Sequence, residues 1–212
     1  MWPDVEVERA GEKLKSGAAV AATEYDVIPV PEHKLVEPQP WNDTDTILPG
    51  TQDPYFLRNG TGPSAVLGGT VIRRYVTAAE SGSTFSLGTI EGSQAYETQV
   101  LSGGIQFPTV DHCLYVTDGY MEIKVNDSNP SRVGPAEVVW LPAGTNFDIR
   151  VVSQYTKVFA YSQPGGLVDL LFEAGKGNPH AGRNSMIPSV PVPFERNNLL
   201  KLQDQFEFNF SS

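Results

Sequence analysis

The stretch "GGIQFPTVDHCLYVTDGYMEI", from Gly103 to Ile123, decides the fold. It contains two runs of β-branched, aromatic and other apolar residues, "HCLYVT" and "YMEI", with a tight turn at Gly119 between them. In the continuation "YMEIKVN", apolar residues alternate with Glu122 and Lys124, as expected of a strand with one buried face. The stretch therefore predicts a strand, a turn and a second strand.

Runs of the same kind recur from about residue 54 to residue 164. Gly, Pro, Asn or Ser interrupts them at intervals of roughly 10–15 residues, which is typical of an antiparallel sandwich or barrel. The runs are "GGTVIRRYVT", "STFSLGTIEG", "YETQVL", "HCLYVT", "YMEIKVN", "AEVVWLP", "NFDIRVVS" and "YTKVFAYS". We therefore predict an all-β domain over residues 54–164.

The two ends of the chain differ from this central domain. Residues 1–53 include the proline-dense "VIPVPEHKLVEPQPW", which predicts an extended arm that wraps the body or a neighbouring subunit, or else a flexible tail. Residues 165–212 predict a helical segment packed on the barrel. Within it, "GGLVDLLFEAG" has apolar residues at helical spacing and ends at Gly175, and "PFERNNLLKLQDQFEF" predicts a second helix.

Composition limits the kinds of partner. The chain has 212 residues, enough for one substantial domain, and 40% of them are hydrophobic. Its net charge of −10 argues against nucleic acid and against anionic membranes, since both require a basic surface. No run of about 18 apolar residues predicts a membrane-spanning helix. We expect neither nucleic acid nor a membrane as a partner.

The sequence gives two opposing indications of the cellular compartment. The N-terminal "MWPDVEVERAGEKLKSG" is too polar for a signal peptide, and the lone Cys113 fits a reducing compartment, so a cytoplasmic location is predicted. Four N-x-[ST] sequons, at Asn42, Asn59, Asn126 and Asn209, leave secretion open as the alternative.

Four segments resemble the cupin superfamily, in particular fungal quercetin 2,3-dioxygenase-like single-domain cupins. "RRYVTAAESGSTFSLGTIEGS" is similar to the opening strand pair of that family, and "SQPGGLVDLLFEAG" to the segment after its barrel. "FPTVDHCLYVTDGYMEIKV" and "VVWLPAGTNFDI" resemble the first and second cupin motifs. The resemblance covers about residues 55–175. It implies a cupin-type antiparallel β-barrel (jelly roll), here with an extended N-terminal arm and short C-terminal helices.

The resemblance also marks the positions of the metal ligands in metal-bearing cupins. Their first motif is G-x5-H-x-H-x3,4-E-x6-G. With Gly119 as its last glycine, His112 falls on the carboxylate position, and Ile105 and Phe107 fall on the histidine positions. Phe147, in "PAGTNF", falls on the last histidine of the second motif. Isoleucine and phenylalanine have no lone pairs for a metal, so we predict no metal and no other cofactor.

A metal site could still be rebuilt from other residues. Besides His112, the chain has only His33 in the arm and His180 after the barrel. Both would have to converge on the barrel mouth. A dioxygenase with displaced ligands therefore remains open as an alternative.

Without a metal, the inward-facing positions would line an apolar, partly aromatic pocket. Such a pocket suits a small hydrophobic organic substrate, aromatic or polyketide-like. Within it, His112 is predicted to act as general base or acid, because burial favours neutral imidazole. Glu97 is the candidate second acid, although a solvated strand edge explains it equally. The predicted lining residues are Tyr75, Ile105, Phe107, Val116, Met121, Ile123, Trp140 and Phe147.

The predicted function is a metal-independent enzyme that catalyses a proton-transfer step: isomerisation, dehydration or cyclisation. The family resemblance implies a place in fungal secondary metabolism, and pairing as a homodimer through sheet edges. Three alternatives stay open: a metal-dependent quercetinase-like dioxygenase, a non-catalytic binder of small molecules, and a filled structural or assembly barrel. In the last of these, His112 is simply a hydrogen-bonded core residue.

Overall fold

The predicted strand runs form two antiparallel sheets in the computed structural model. The structure describes residues 47–58, 60–96, 100, 102–178, 187–188 and 190–210. The chain divides into two units, Met1–Trp41 and Asn42–Ser212, and every described residue belongs to the second. The predicted arm, residues 1–53, therefore lies almost entirely outside the described residues.

The first sheet has seven strands in the described ranges. Their bounds are β1 Ser64–Leu67, β2 Thr70–Val76, β3 Ser86–Gly92, β5 Asp111–Asp118, β8 Val138–Leu141, β10 Thr156–Gln163 and β11 Lys176–Gly177. The spatial order is β11, β1, β2, β3, β10, β5, β8, with antiparallel neighbours throughout. The end strand β8 pairs with β5 on one side only within the described residues.

The second sheet has five strands in the same ranges. They are β4 Ile105–Gln106, β6 Met121–Val125, β7 Ser131–Val133, β9 Asn146–Val151 and β12 Asn209–Phe210. The order is β12, β4, β9, β6, β7, again antiparallel. Together the two sheets confirm the predicted all-β jelly roll.

The core lies between the sheets because each strand alternates its side chains between two faces. On β5, His112, Leu114 and Val116 are buried, whereas Cys113 is half-buried and Tyr115 is exposed. The core cluster takes apolar side chains from both sheets. We refer below to this buried side as the inner face of the seven-stranded sheet, and to the opposite side as its outer face.

The first predicted C-terminal helix is confirmed. Helix α2, Leu167–Ala174, follows a one-turn helix α1, Ala78–Ser81, and ends at Gly175. Its buried residues pack against the sheet through contacts with β1, β2, β3 and β10. In the part of the chain that the structure describes, every helix is too short or too polar to traverse a bilayer.

The prediction of one further helix at the C-terminal end is wrong. That segment forms two single-turn helices, α3 Asn197–Leu200 and α4 Gln203–Phe206, followed by strand β12. Helix α4 ends at Glu207, whose φ of 47° lies in the left-handed region that terminates helices. The chain then pairs with β4, and Phe208 is buried in the core.

Candidate functional site

The four positions matched to cupin metal ligands meet at one place between the sheets. Ile105 on β4 lies directly opposite Phe147 on β9. The ring of Phe107 lies 4.7 Å from the imidazole of His112 and 6.5 Å from the ring of Phe147, centroid to centroid. His112 and Phe147 are 5.7 Å apart. The motif alignment therefore identified positions that the fold does bring together.

Side chains fill this place. Ile105, Phe107, His112 and Phe147 are all at most 3% exposed. The buried Phe208, from the C-terminal segment, adds a ring 6.0 Å from that of Phe107. The predicted lining residues Val116, Met121 and Ile123 are also buried in the same core cluster. This packing favours the filled barrel over an open pocket at this position.

His112 is held as a neutral core residue. Its Nε2 atom accepts a hydrogen bond from the backbone N–H of Leu167, at the start of helix α2, over 3.3 Å. Desolvation lowers the pKa of His112 to about 4, against smaller opposing effects from the charge of Asp111 and the backbone of Val110. Because burial excludes solvent and the Nε2 lone pair is occupied, this geometry argues against the predicted general-base role.

A glycine allows this contact. A Cβ atom on Gly166 would lie 2.7 Å from Nε2 of His112 and 2.9 Å from a methyl carbon of Val110. Real Cβ atoms do not approach that closely, so only glycine lets the start of helix α2 reach the imidazole.

The residues at this place do not fit a metal ion. Three of the four positions have hydrocarbon side chains, and the fourth already uses its Nε2 lone pair. Within the described ranges, no group of three or more His, Cys, Asp or Glu residues is placed to hold a metal. His33 and His180, considered above as replacement ligands, lie outside those ranges.

Two predicted lining residues face the other way. The prediction for Trp140 is wrong: it pairs with Cys113 and is 55% exposed, because strand alternation turns its neighbour Leu141 inward instead, opposite His112. The prediction for Tyr75 is also wrong. Its ring packs on Phe159 at 5.6 Å, on the outer face of the sheet. Glu97 lies outside the described residues.

The outer face of the seven-stranded sheet has a cleft of about 520 Å³. Aromatic rings form much of its wall, and charged groups stand at several points. The lining residues are Tyr55, Leu57, Arg58, Tyr75, Val76, Leu87, Thr117, Asp118, Lys157 and Phe159. We call this the outer cleft.

Two register shifts border the outer cleft. The pairing of β2 with β3 shifts between Arg74 and Val76, so Tyr75 is the additional residue of a bulge. The pairing of β10 with β5 shifts between Lys157 and Val158, where β5 has Thr117 as its additional residue. Bulges re-aim side chains and are enriched beside functional sites. Here the additional residue of each bulge lines the cleft.

A buried polar cluster lies beside the cleft on the same face. Glu91, fully buried on β3, accepts hydrogen bonds from the hydroxyls of Thr89 (3.3 Å) and Tyr155 (3.1 Å). The Lys157 ammonium lies 3.9 Å from the same carboxylate. Burial, and then the neighbouring charge of Glu91, raise the pKa of Tyr155.

Sequence reasoning missed the outer cleft, although a partial signal was present. In "GTIEG", Thr89 and Glu91 lie two residues apart on the face opposite Ile90, and Lys157 and Phe159 repeat this spacing in "TKVFAY". Period-two polarity on neighbouring strands indicates a polar outer face. Strand spacing gave no sign of the two bulges.

Known proteins resemble this chain in sequence and in fold. No family model matches the chain. Over 143 residues the chain is 28% identical to quercetin 2,3-dioxygenase from Aspergillus japonicus, a match that covers 64% of this chain and 40% of the relative. This match agrees with the resemblance to the cupin superfamily described above. It spans about two fifths of the length of that relative.

Solved structures overlap with part of this chain. Ectoine synthase from P. lautus has a TM-score of 0.38 at 14% identity, over 58% of this chain and 79% of that one. An RmlC-like cupin family protein with a double-stranded β-helix fold, from Methanocaldococcus jannaschii, has a TM-score of 0.37 at 14% identity, over 45% and 80% respectively.

Proposed function

We propose that this cupin is a metal-independent protein that binds a hydrophobic, planar aromatic molecule in the outer cleft. The observation that carries the proposal is the contrast between the filled barrel interior and the outer cleft. The barrel interior is packed with phenylalanine rings, whereas the outer cleft offers about 520 Å³ between aromatic walls. Small-molecule sites commonly have volumes of about 300–1,000 Å³ and apolar walls with a few polar groups.

The cleft walls favour a planar ring. Tyr75 and Phe159 pack against each other with their rings inclined by 35°, and Tyr55 adds a third aromatic side chain. Aromatic pairs of this kind bind a further ring through stacked or edge contacts. Lys157, whose Nζ atom lies 5.9 Å from the Phe159 ring, and Asp118 supply charged partners for polar substituents.

The reaction that we propose is a proton-transfer step of the isomerisation, dehydration or cyclisation type, in secondary metabolism. Its support is the presence of ionisable Tyr75, Asp118 and Lys157 at the cleft wall. Oxygen insertion by a bound metal is not part of this proposal, because three of the four matched ligand positions lack donor atoms and the Nε2 lone pair of His112 is already used.

Quercetin, which the relative's name provides, is a suitable planar polyphenol probe. Leu87→Trp places an indole in the cleft, whereas Ser131→Trp places the same group on an exposed position of β7. We expect Leu87→Trp to weaken quercetin binding at least about tenfold in an absorbance titration, and Ser131→Trp to leave it unchanged. Equal affinity in both variants would contradict binding in the outer cleft.

A second candidate function, an assembly module, is favoured by a different observation. Val138 and Trp140 on the end strand β8 are 58% and 55% exposed, and Tyr115 beside them is also exposed. An apolar end strand that is paired on one side only, as β8 is among the described residues, is a surface that another chain pairs with. We propose that a second copy of this chain covers it, which gives a homodimer.

A further inference from the structure

The buried carboxylate of Glu91 gives direction to a short chain of hydrogen bonds. As a carboxylate, Glu91 only accepts hydrogen bonds. Thr89 has a single hydroxyl hydrogen, and it is directed at Oε1 of Glu91 over 3.3 Å. The same Thr89 oxygen lies 3.4 Å from the hydroxyl oxygen of Tyr75. Since the Thr89 hydrogen is already used, Tyr75 must be the donor of that second bond.

This direction determines what Tyr75 offers to the cleft. A tyrosine hydroxyl has one hydrogen and acceptor lone pairs. With its hydrogen directed at Thr89, the Oη atom of Tyr75 has only lone pairs left for a ligand. Tyr75 lines the outer cleft, so a ligand that reaches its Oη atom meets a hydrogen-bond acceptor and not a donor.

The fold holds Tyr75 in this position from several sides. Tyr75 is the additional residue of the β2 bulge and lines the cleft, and the Phe159 ring packs against it at 5.6 Å. Phe159 in turn lies directly opposite Thr89 in the strand pairing. The hydroxyl of Tyr55 donates a hydrogen bond to the backbone carbonyl of Tyr75. The Tyr75 ring is thus fixed by packing beside Thr89.

We infer that the aromatic ligand of the outer cleft presents a hydrogen-bond donor, a phenolic or enolic hydroxyl, to Oη of Tyr75. Thr89 and Glu91 act as positioning residues that keep Tyr75 an acceptor. This inference deepens the proposed function and rests on it.

A matched pair of probes tests the inference on the full chain. 1-Naphthol and 1-methoxynaphthalene have the same ring system, but only 1-naphthol has a hydroxyl hydrogen. One hydrogen bond in a partly dry site contributes about a tenfold difference in affinity, so we expect the wild-type protein to bind 1-naphthol about tenfold more tightly. Fluorescence titration of both probes gives the ratio of the two dissociation constants.

Three variants identify the origin of that ratio. Tyr75→Phe keeps the ring and removes the acceptor, so the ratio should fall to about one. Thr89→Val removes the hydroxyl that receives the Tyr75 hydrogen, so Tyr75 becomes free to donate and 1-methoxynaphthalene should bind more tightly than before. Tyr161→Phe is the control, because its hydroxyl bonds to Gln163 on the same face but outside the cleft lining.

The outcomes separate this inference from the proposed function. If neither probe binds, the proposed function fails. If the wild-type protein binds both probes equally, or if Thr89→Val keeps the wild-type ratio, the inference is overturned while binding in the cleft stands. Thermal unfolding midpoints of all variants show which are folded. A purely structural role for Thr89 would change those midpoints without changing the ratio.

Discussion

The side chain of His112 and the backbone of Leu167 join the barrel to helix α2 through one buried hydrogen bond of 3.3 Å. The bond requires neutral imidazole, because Nε2 accepts a hydrogen bond from the helix only when it carries no proton of its own. It also requires Gly166 at the point of closest approach. In this chain, therefore, the one histidine at the matched ligand positions attaches a helix to the sheet.

This attachment predicts acid sensitivity. The pKa of His112 is about 4 in the folded protein, against an ordinary value of 6.5, so between these values the unfolded state binds more protons. The free energy of unfolding should therefore fall as the pH decreases through that range. At pH 4.5 this one group should cost roughly 2–3 kcal/mol relative to pH 7.5.

His112→Gln is the matched variant for that measurement. Its amide oxygen still accepts the Leu167 N–H, but it does not titrate. Urea unfolding at pH 7.5 and 4.5 should show a smaller loss in the variant than in the wild-type protein. Equal losses in both proteins would show that His112 already takes up a proton in the folded state.

Gly166→Ala should destabilise the protein. The new methyl group would lie 2.7 Å from Nε2 of His112, inside a packed region, and overpacking of this kind costs about 1–3 kcal/mol. Gly177→Ala on β11 is the control, since nothing lies within 4 Å of its Cβ position. Chemical unfolding measures both, and a cost for Gly166→Ala no larger than that of the control would contradict the close contact.

Replacing the three hydrocarbon side chains should create a metal site. We expect the combined variant Ile105→His, Phe107→His and Phe147→His to bind Zn²⁺, because the fold brings these positions together. Titration calorimetry should show about one ion per chain and a rise in melting temperature with added Zn²⁺. The single variant Phe107→His should bind far more weakly.

Purified wild-type protein should contain little metal by elemental analysis.

Trp140→Lys should disrupt the proposed homodimer. A charge in the middle of the apolar end strand opposes pairing with a second copy, whereas the exposed position of Trp140 leaves the core unaffected. Sedimentation velocity at micromolar concentration should show a dimer for the wild-type chain and a monomer for the variant. Val190→Lys, at another exposed apolar residue, should remain dimeric. A monomeric wild-type chain would contradict the proposal.

The strands could be predicted because they depend on local signals, namely alternation and turns. The convergence of Ile105, Phe107, His112 and Phe147 was implied by the resemblance to the cupin motifs. The orientation of Trp140 could not be predicted, because turning Leu141 inward instead depends on its pairing with His112. Tyr75 lies three residues after the core residue Ile72, so alternation turns it outward, and which face of β2 is the inner one depends on its pairing with β3. Filling of the interior by Phe208 likewise required knowledge of where the C-terminal segment returns.

Side chains alternate between two faces along β10, so the residues that line the outer cleft can be changed separately from those of the core. Val158 and Ala160 belong to the core, while Lys157 and Phe159 between them belong to the outer cleft. The residues of the proposed binding site and the residues of the core thus lie on opposite faces of one strand. Substitutions at Phe159, Leu87 or Thr117 would give this scaffold a new ligand repertoire without redesign of the hydrophobic interior.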